Sequence, residues 1–147
     1  MKSLNATAAG TSRAPIERCF ELLAELDGYP RWYPSGVRSA EVLERGGDGL
    51  PTRARTELHL AQGPLVKDFR LELAVTTVRP TSVRLARIPR GAGDLEELTV
   101  AWTLAEGEAT RIGVDLAASL SVPRFLPVGG VAESLALGFL TAALAAL

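Results

Sequence analysis

The chain has 147 residues, 47% of them hydrophobic and 22% charged, with 16 Lys+Arg against 17 Asp+Glu for a net charge of −1. Such a chain buries a sizeable core as one domain over residues 1–147 and is not disordered. The charge balance leaves no electrostatic footprint for nucleic acid, so that partner class is set aside.

In chain order, Leu4 to Ala9 alternates weakly and reads as a first strand. "APIERCFELLAEL" follows as a helix, with Pro15 suited to the first helical position and Ile16, Cys19, Phe20, Leu23 and Leu26 repeating at helical spacing. Gly28, Pro30 and Pro34 then impose an irregular segment, "LDGYPRWYPSG". From Val37 onward the pattern is strand after strand. "VRSAEVLER" is closed by the turn "GGDG". "TRARTELHLA" sets Ala54, Thr56, Leu58 and Leu60 against Arg53, Arg55, Glu57 and His59. "KDFRLELAVTTV" sets Phe69, Leu71, Leu73 and Val75 against Asp68, Arg70 and Glu72, and "SVRLARI" follows. After "RGAGD" come "LEELTVAWTL" and "RIGVDLAASL", separated by the turn "EGEAT". Each is a half-buried antiparallel strand with one wet face. Pro123, Pro127 and a Gly pair then release a C-terminal helix of about seventeen residues. From Ser134 to Leu147 this helix has no charge on any face.

Cys19 is the only cysteine and falls on the apolar stripe of the first helix, where a small buried hydrophobe is expected. No intramolecular disulfide can form, which suits a reducing cytoplasm, and "MKSLNATAAG" lacks the apolar run of a secretory signal. The C-terminal helix falls short of the ~20 residues that span a bilayer. One Cys and one His, His59, do not make an ordinary zinc site, so neither a metal nor another cofactor is expected. His59 itself falls on the charged outer row and reads as a solvated surface residue.

With "AP" opening the first helix, "DGYPRWYP", "VRSAEVLERGGDG", Trp102 in "AWTL" and Thr110 after "EGE", the chain resembles the START-like (SRPBCC) superfamily over nearly its whole length. More narrowly, it resembles the polyketide cyclase/dehydrase and lipid-transport branch. The resemblance implies an α+β helix-grip fold, in which a curved antiparallel sheet wraps a long C-terminal helix, with two short helices after the first strand. Between sheet and helix it implies a mostly apolar cavity, typically of ~300–1,000 Å³.

Candidate ligand contacts follow from that picture. Tyr29, Trp32 and Tyr33 hold three of the chain's eight aromatic residues in five positions, at the end of such a cavity. Each has an apolar body with a polar tip that needs a partner. Trp32 either plugs the core beneath the short helix or faces the ligand, and Trp102 is either core filler or cavity wall. The inward rows add Thr56, Leu58, Phe69, Leu71 and Val100. Arg87 shares its strand face with Val83 and Leu85, so it points inward as a lone cation unless a one-residue bulge turns it out. A buried guanidinium needs a carboxylate, a carbonyl or an anionic ligand.

In aromatase/cyclase relatives inward arginines are thought to polarise ketones, and Arg87 falls at one such position. Where that pattern carries a tyrosine and a second inward arginine, this chain has Val37 and Val78 or a neighbour. The remaining inward polar groups, Thr56, Thr77 and Glu41, form no acid/base set. Two readings stay open: a carrier or sensor of a hydrophobic small molecule such as a lipid or polyketide, or a polyketide cyclase/aromatase or dehydratase with Arg87 as its catalytic residue. The uncharged C-terminal helix also predicts a homodimer through that surface, unless the sheet alone buries it.

Overall fold

The computed structural model describes residues 2–62, 65–121 and 130–147. In chain order these form β1 (Lys2–Ser12), α1 (Ile16–Ala24), a single 3-10 turn (Leu26–Gly28), α2 (Tyr29–Trp32), β2 (Val37–Arg45), β3 (Pro51–Gln62), β4 (Leu65–Val78), β5 (Ser82–Arg87), β6 (Glu97–Ala105), β7 (Thr110–Leu120) and α3 (Val131–Ala146). Pro123, Pro127 and Gly129, expected to end the sheet, lie outside the described residues.

The strands make one antiparallel sheet in the order β1-β7-β6-β5-β4-β3-β2. Every pair from β2 to β7 is a simple neighbour in sequence, whereas β1 crosses to pair with β7. The segment from α1 to α2 therefore links the two opposite edges of the sheet, and it does so across the inner face. The two-residue period decides which side chains that face presents. On β7, Thr110, Ile112, Val114, Leu116, Ala118 and Leu120 are buried while Arg111, Asp115 and Ala117 are exposed. On β5, Val83 and Leu85 are buried and Arg84 is exposed. The expected half-wet strands are all present. β1 is longer than Leu4 to Ala9, because its ladder with β7 runs unbroken from Lys2 to Ser12.

The amphipathic stripe of α1 buries Cys19, Phe20, Leu23 and Ala24. Pro15 stands one residue ahead of the expected first helical position. Its ψ of 148° is extended, so it serves as the N-cap and its carbonyl accepts the Arg18 and Cys19 amides. Arg79, in the β4–β5 turn, lies 5.2 Å from the Phe20 ring and pairs with Glu17 and Glu21 at 3.1 and 3.3 Å. Thr110 ties the start of β7 to the helix entry by donating to the Ala14 carbonyl at 2.7 Å.

The last helix, α3, follows an N-cap at Gly130, whose φ of 79° is the left-handed conformation that glycine tolerates. Val131, Ala132, Ala136, Phe139, Leu140 and Ala143 face the sheet. β1 approaches α3 so closely that a Cβ at Gly10 would come within 2.9 Å of Leu144 Cδ1. The sheet does not cover the whole helix, since Leu137 remains 58% exposed. No helix among the described residues is long and apolar enough to cross a membrane.

Candidate functional site

Between the inner face of the sheet and α3 the packing leaves two small voids, of about 50 and about 20 Å³. The larger is lined by Leu58, Phe69, Leu71, Val100, Leu116 and Leu135 among others, with Arg87 and Tyr33 at its margin. The smaller lies against Leu26, Tyr29, Val37, Thr56, Leu73 and Leu85. Leu58, Leu98, Val100 and Phe139 line both. The expectation of a cavity of several hundred Å³ is thus corrected: at about 50 Å³ even the larger void falls well short of the ~300 Å³ at which such pockets begin.

The reason lies in an aromatic cluster. Phe139 projects from α3 onto the wall of both voids, edge-on to Tyr33 at 4.8 Å and to Trp102 at 6.2 Å. Tyr33 closes the larger void on the outer side. Beyond it, bordered by Tyr33, His59, Leu60 and Leu135, lies an open groove of about 430 Å³. The Tyr33 ring fits because Gly36 and Gly138 flank it, and a Cβ at either position would overlap its atoms. Burial pushes the Tyr33 phenol above its ordinary value, and Tyr29, more deeply buried, further still. The Tyr29 hydroxyl donates to the Leu23 carbonyl at 2.6 Å.

Of the residues singled out from the sequence, Arg87, Tyr33, Phe69, Leu71, Leu58 and Val100 stand on the wall of the larger void, and Tyr29, Thr56, Leu58 and Val100 on that of the smaller. Trp32 and Trp102 border neither. Trp102 is fully buried, and Trp32 packs 4.5 Å from Tyr29, so for both the core-filling alternative is the one the packing realises. Glu41 lies outside on an exposed stretch of β2, 3.6 Å from Arg55, because bulges in that strand break its simple alternation. Thr77 is half-buried opposite Val83 and borders neither void.

Phe139, Leu98, Leu116 and Leu135 were not among the candidates. The available signal for Phe139 was its being the only aromatic residue of α3. His59 also differs from expectation. Its side chain is 21% exposed, its Nδ1 stands 2.6 Å from Asp68 Oδ1, and it borders both the larger void and the groove. β2 starts at Val37, opposite Leu58, and just before it the Gly36 carbonyl accepts the His59 amide at 2.8 Å, so His59 sits where the β2–β3 ladder ends.

Arg87 ends β5 with its register intact, opposite Leu73, so no bulge turns it outward. Its side chain is 7% exposed, but it is not a lone cation. Nη2 donates to Asp94 Oδ2 at 2.6 Å and Nη1 to the Glu96 carbonyl at 2.8 Å. Asp94 also accepts the Arg90 and Glu96 amides, so the "RGAGD" turn folds back onto the guanidinium. The burial cost of the charge is offset within the chain, without an anionic ligand.

The Arg87 guanidinium, aided by the Arg90 amide, holds the Asp94 carboxyl at about 2, below its ordinary 3.8. A carboxylate depressed on folding stabilises the fold above its unfolded value, and that contribution is lost as pH falls through the folded one. Urea midpoints should therefore drop between pH 3.8 and about 2 in the wild type, with a shallower slope in Asp94→Asn. Parallel slopes for the two proteins would show that the pair adds nothing to stability.

Solved structures with the same fold are numerous. A START superfamily protein from Mycobacterium smegmatis superposes with a TM-score of 0.77 at 18% identity, covering 97% of this chain and 95% of that one. The Zhui aromatase/cyclase from Streptomyces sp. R1128 gives 0.67 at 16% identity, covering 99% and 93%. A protein from Thermus thermophilus gives 0.66 at 25% identity, covering 97% and 99%. No curated protein matches the sequence significantly. Residues 12–147 match the family described as polyketide cyclase / dehydrase and lipid transport, and the chain belongs to that family.

Proposed function

We propose that this protein binds a hydrophobic small molecule, a lipid, polyketide or similar compound, between its sheet and α3, as a carrier or sensor. The observation that carries this reading is the character of the wall. Both voids are lined almost wholly by apolar side chains, and the arginine among them is already held by Asp94 and a carbonyl. Such a surface gains free energy by covering an apolar body, at ~25 cal/mol per Å² removed from water. Arginine is a poor proton acceptor, so Arg87 supports anchoring or polarisation rather than base chemistry.

The voids are far smaller than a ligand of a dozen heavy atoms, so binding requires the partition to move. Phe139 and Tyr33 are the side chains we assign to this: Phe139 lines both voids, and Tyr33 borders both the larger void and the outer groove. Displacing Phe139 toward the groove merges the two spaces without touching the strand ladders. The single domain and a cytoplasmic setting belong to the same proposal, the latter in keeping with one buried, unpaired cysteine. So does a homodimer in which a second copy covers Leu137.

The enzymatic alternative, a cyclase, aromatase or dehydratase acting on a poly-keto substrate, is favoured by one pair of groups. His59, oriented by Asp68, borders the larger void and would be its proton acceptor, with Arg87 polarising a ketone. Incubation with a poly-β-ketone surrogate separates the two readings. A changed product distribution marks an enzyme, whereas binding with unchanged products marks a carrier.

Native mass spectrometry of freshly purified protein tests the binding itself. We expect a co-purified small molecule on the wild type and a greater occupancy on Phe139→Ala, whose merged cavity costs about 3–5 kcal/mol of stability. Dimer peaks in the same spectra would support the helix interface. Protein that is bare in both forms would contradict the binding role.

A further inference from the structure

The groove outside Tyr33 differs in kind from the two voids. They show almost only apolar surface, whereas the groove presents polar and apolar atoms alike, with Ser35, Arg38, His59 and Ser134 among its lining residues. A backbone irregularity brings Arg38 there. Val37 lies opposite Leu58 and Ser39 opposite Glu57, so Arg38 is an extra residue with no counterpart on β3. Such a bulge re-aims side chains, and Arg38 and Ser39 are both exposed where regular alternation would turn one of them inward.

Arg38 is also uncommitted. Among the described residues its guanidinium has neither an ion pair nor a hydrogen bond, and the sequence at residues 1, 63–64 and 122–129 contains no aspartate or glutamate. Arginines bordering the other clefts are occupied: Arg53 and Arg55 by Glu72, Arg87 by Asp94, and Arg90 by the Arg70 carbonyl. A free guanidinium takes a carboxylate through two parallel hydrogen bonds. One guanidinium matches one negative charge. A phosphate monoester carries about two, and the second would be left unmatched on a groove where the Asp68 carboxylate stands beside His59. Within the larger void an acid finds no free cation, since Asp94 and the Glu96 carbonyl already hold Arg87.

We infer that the outer groove is the head-group site of the ligand, that the head group is a carboxylate, and that Arg38 binds it. This rests on the reading that the interior takes an apolar small molecule, and it names the class: an amphipathic acid. Tyr33, His59, Leu60 and Leu135 border both the groove and the larger void. The two spaces thus share a wall, and the apolar body enters past Tyr33 while the acid stays outside in water-accessible surroundings.

Fluorenone and fluorenone-2-carboxylate, which differ by one charged group, test the inference on the intact chain at neutral pH. Affinities of both are measured for wild type, Arg38→Gln and Arg84→Gln, the last removing an exposed arginine of β5 that does not line the groove. Wild type should bind the carboxylate at least as tightly as the parent ketone. The carboxylate-to-ketone affinity ratio should fall about fivefold in Arg38→Gln, the upper range for an exposed ion pair, and stay unchanged in Arg84→Gln. Without ligand, Arg38→Gln should melt within about 2 °C of wild type, since no internal contact is lost. A larger drop would reveal an internal partner for the guanidinium and overturn the inference. So would an equal fall of the ratio in Arg84→Gln, which would mark a general effect of net charge. An unchanged ratio in Arg38→Gln, or wild type that binds the ketone alone, would overturn it while leaving the binding role intact. Failure of wild type to take up either compound would overturn both.

Discussion

An antiparallel sheet of half-buried strands creates an obligation that the rest of this chain must meet. Every second residue of each strand faces inward, most are apolar and need cover, and among the described residues α3 and the segment from α1 to α2 supply it. Phe139 is where that cover is completed. Its ring lines both voids and packs edge-on against Tyr33 and Trp102, contacts each worth ~0.5–1.5 kcal/mol beyond the area they bury. Phe139 of α3 and Tyr33, which follows α2, meet over the sheet's own Leu58, Leu98 and Val100.

Electrostatics limits what such an interior does. A buried guanidinium is costly when unpaired and inexpensive once a carboxylate and a carbonyl hold it. Because Asp94 and Glu96 come from the turn just after β5, Arg87 is satisfied by its own neighbourhood and the wall remains neutral overall. A neutral, apolar wall selects for neutral, apolar molecules. The few polar side chains near these walls include Tyr33 and His59, which border both the larger void and the outer groove.

Much of this was legible in the amino-acid sequence where one physical period ruled. The strands of β3, β4, β5 and β7 announce themselves because one face is wet, and the same alternation places Thr56 and Arg87 on the inner side. The order of elements, with the "YPRWYP" segment between helix and sheet, carries the family. Three things were hidden. The Asp94 partnership was hidden because a turn has no period from which to read a side chain's direction. Phe139 was hidden because α3 lacks a polar face that would orient it from the pattern alone. The size of the voids was hidden because volume depends on how side chains from several elements interlock, and no single segment encodes that. His59 shows a fourth limit: alternation put it outside, yet at the end of the β2–β3 ladder it borders the void.

A crystal structure of the protein with bound fluorenone measures the central claim directly. The account predicts the ligand among Leu58, Val100 and Thr56, with the Phe139 ring swung away and the two voids joined into one cavity. Fluorenone found solely in the outer grooves, with Phe139 still edge-on to Tyr33 and Trp102, would contradict it.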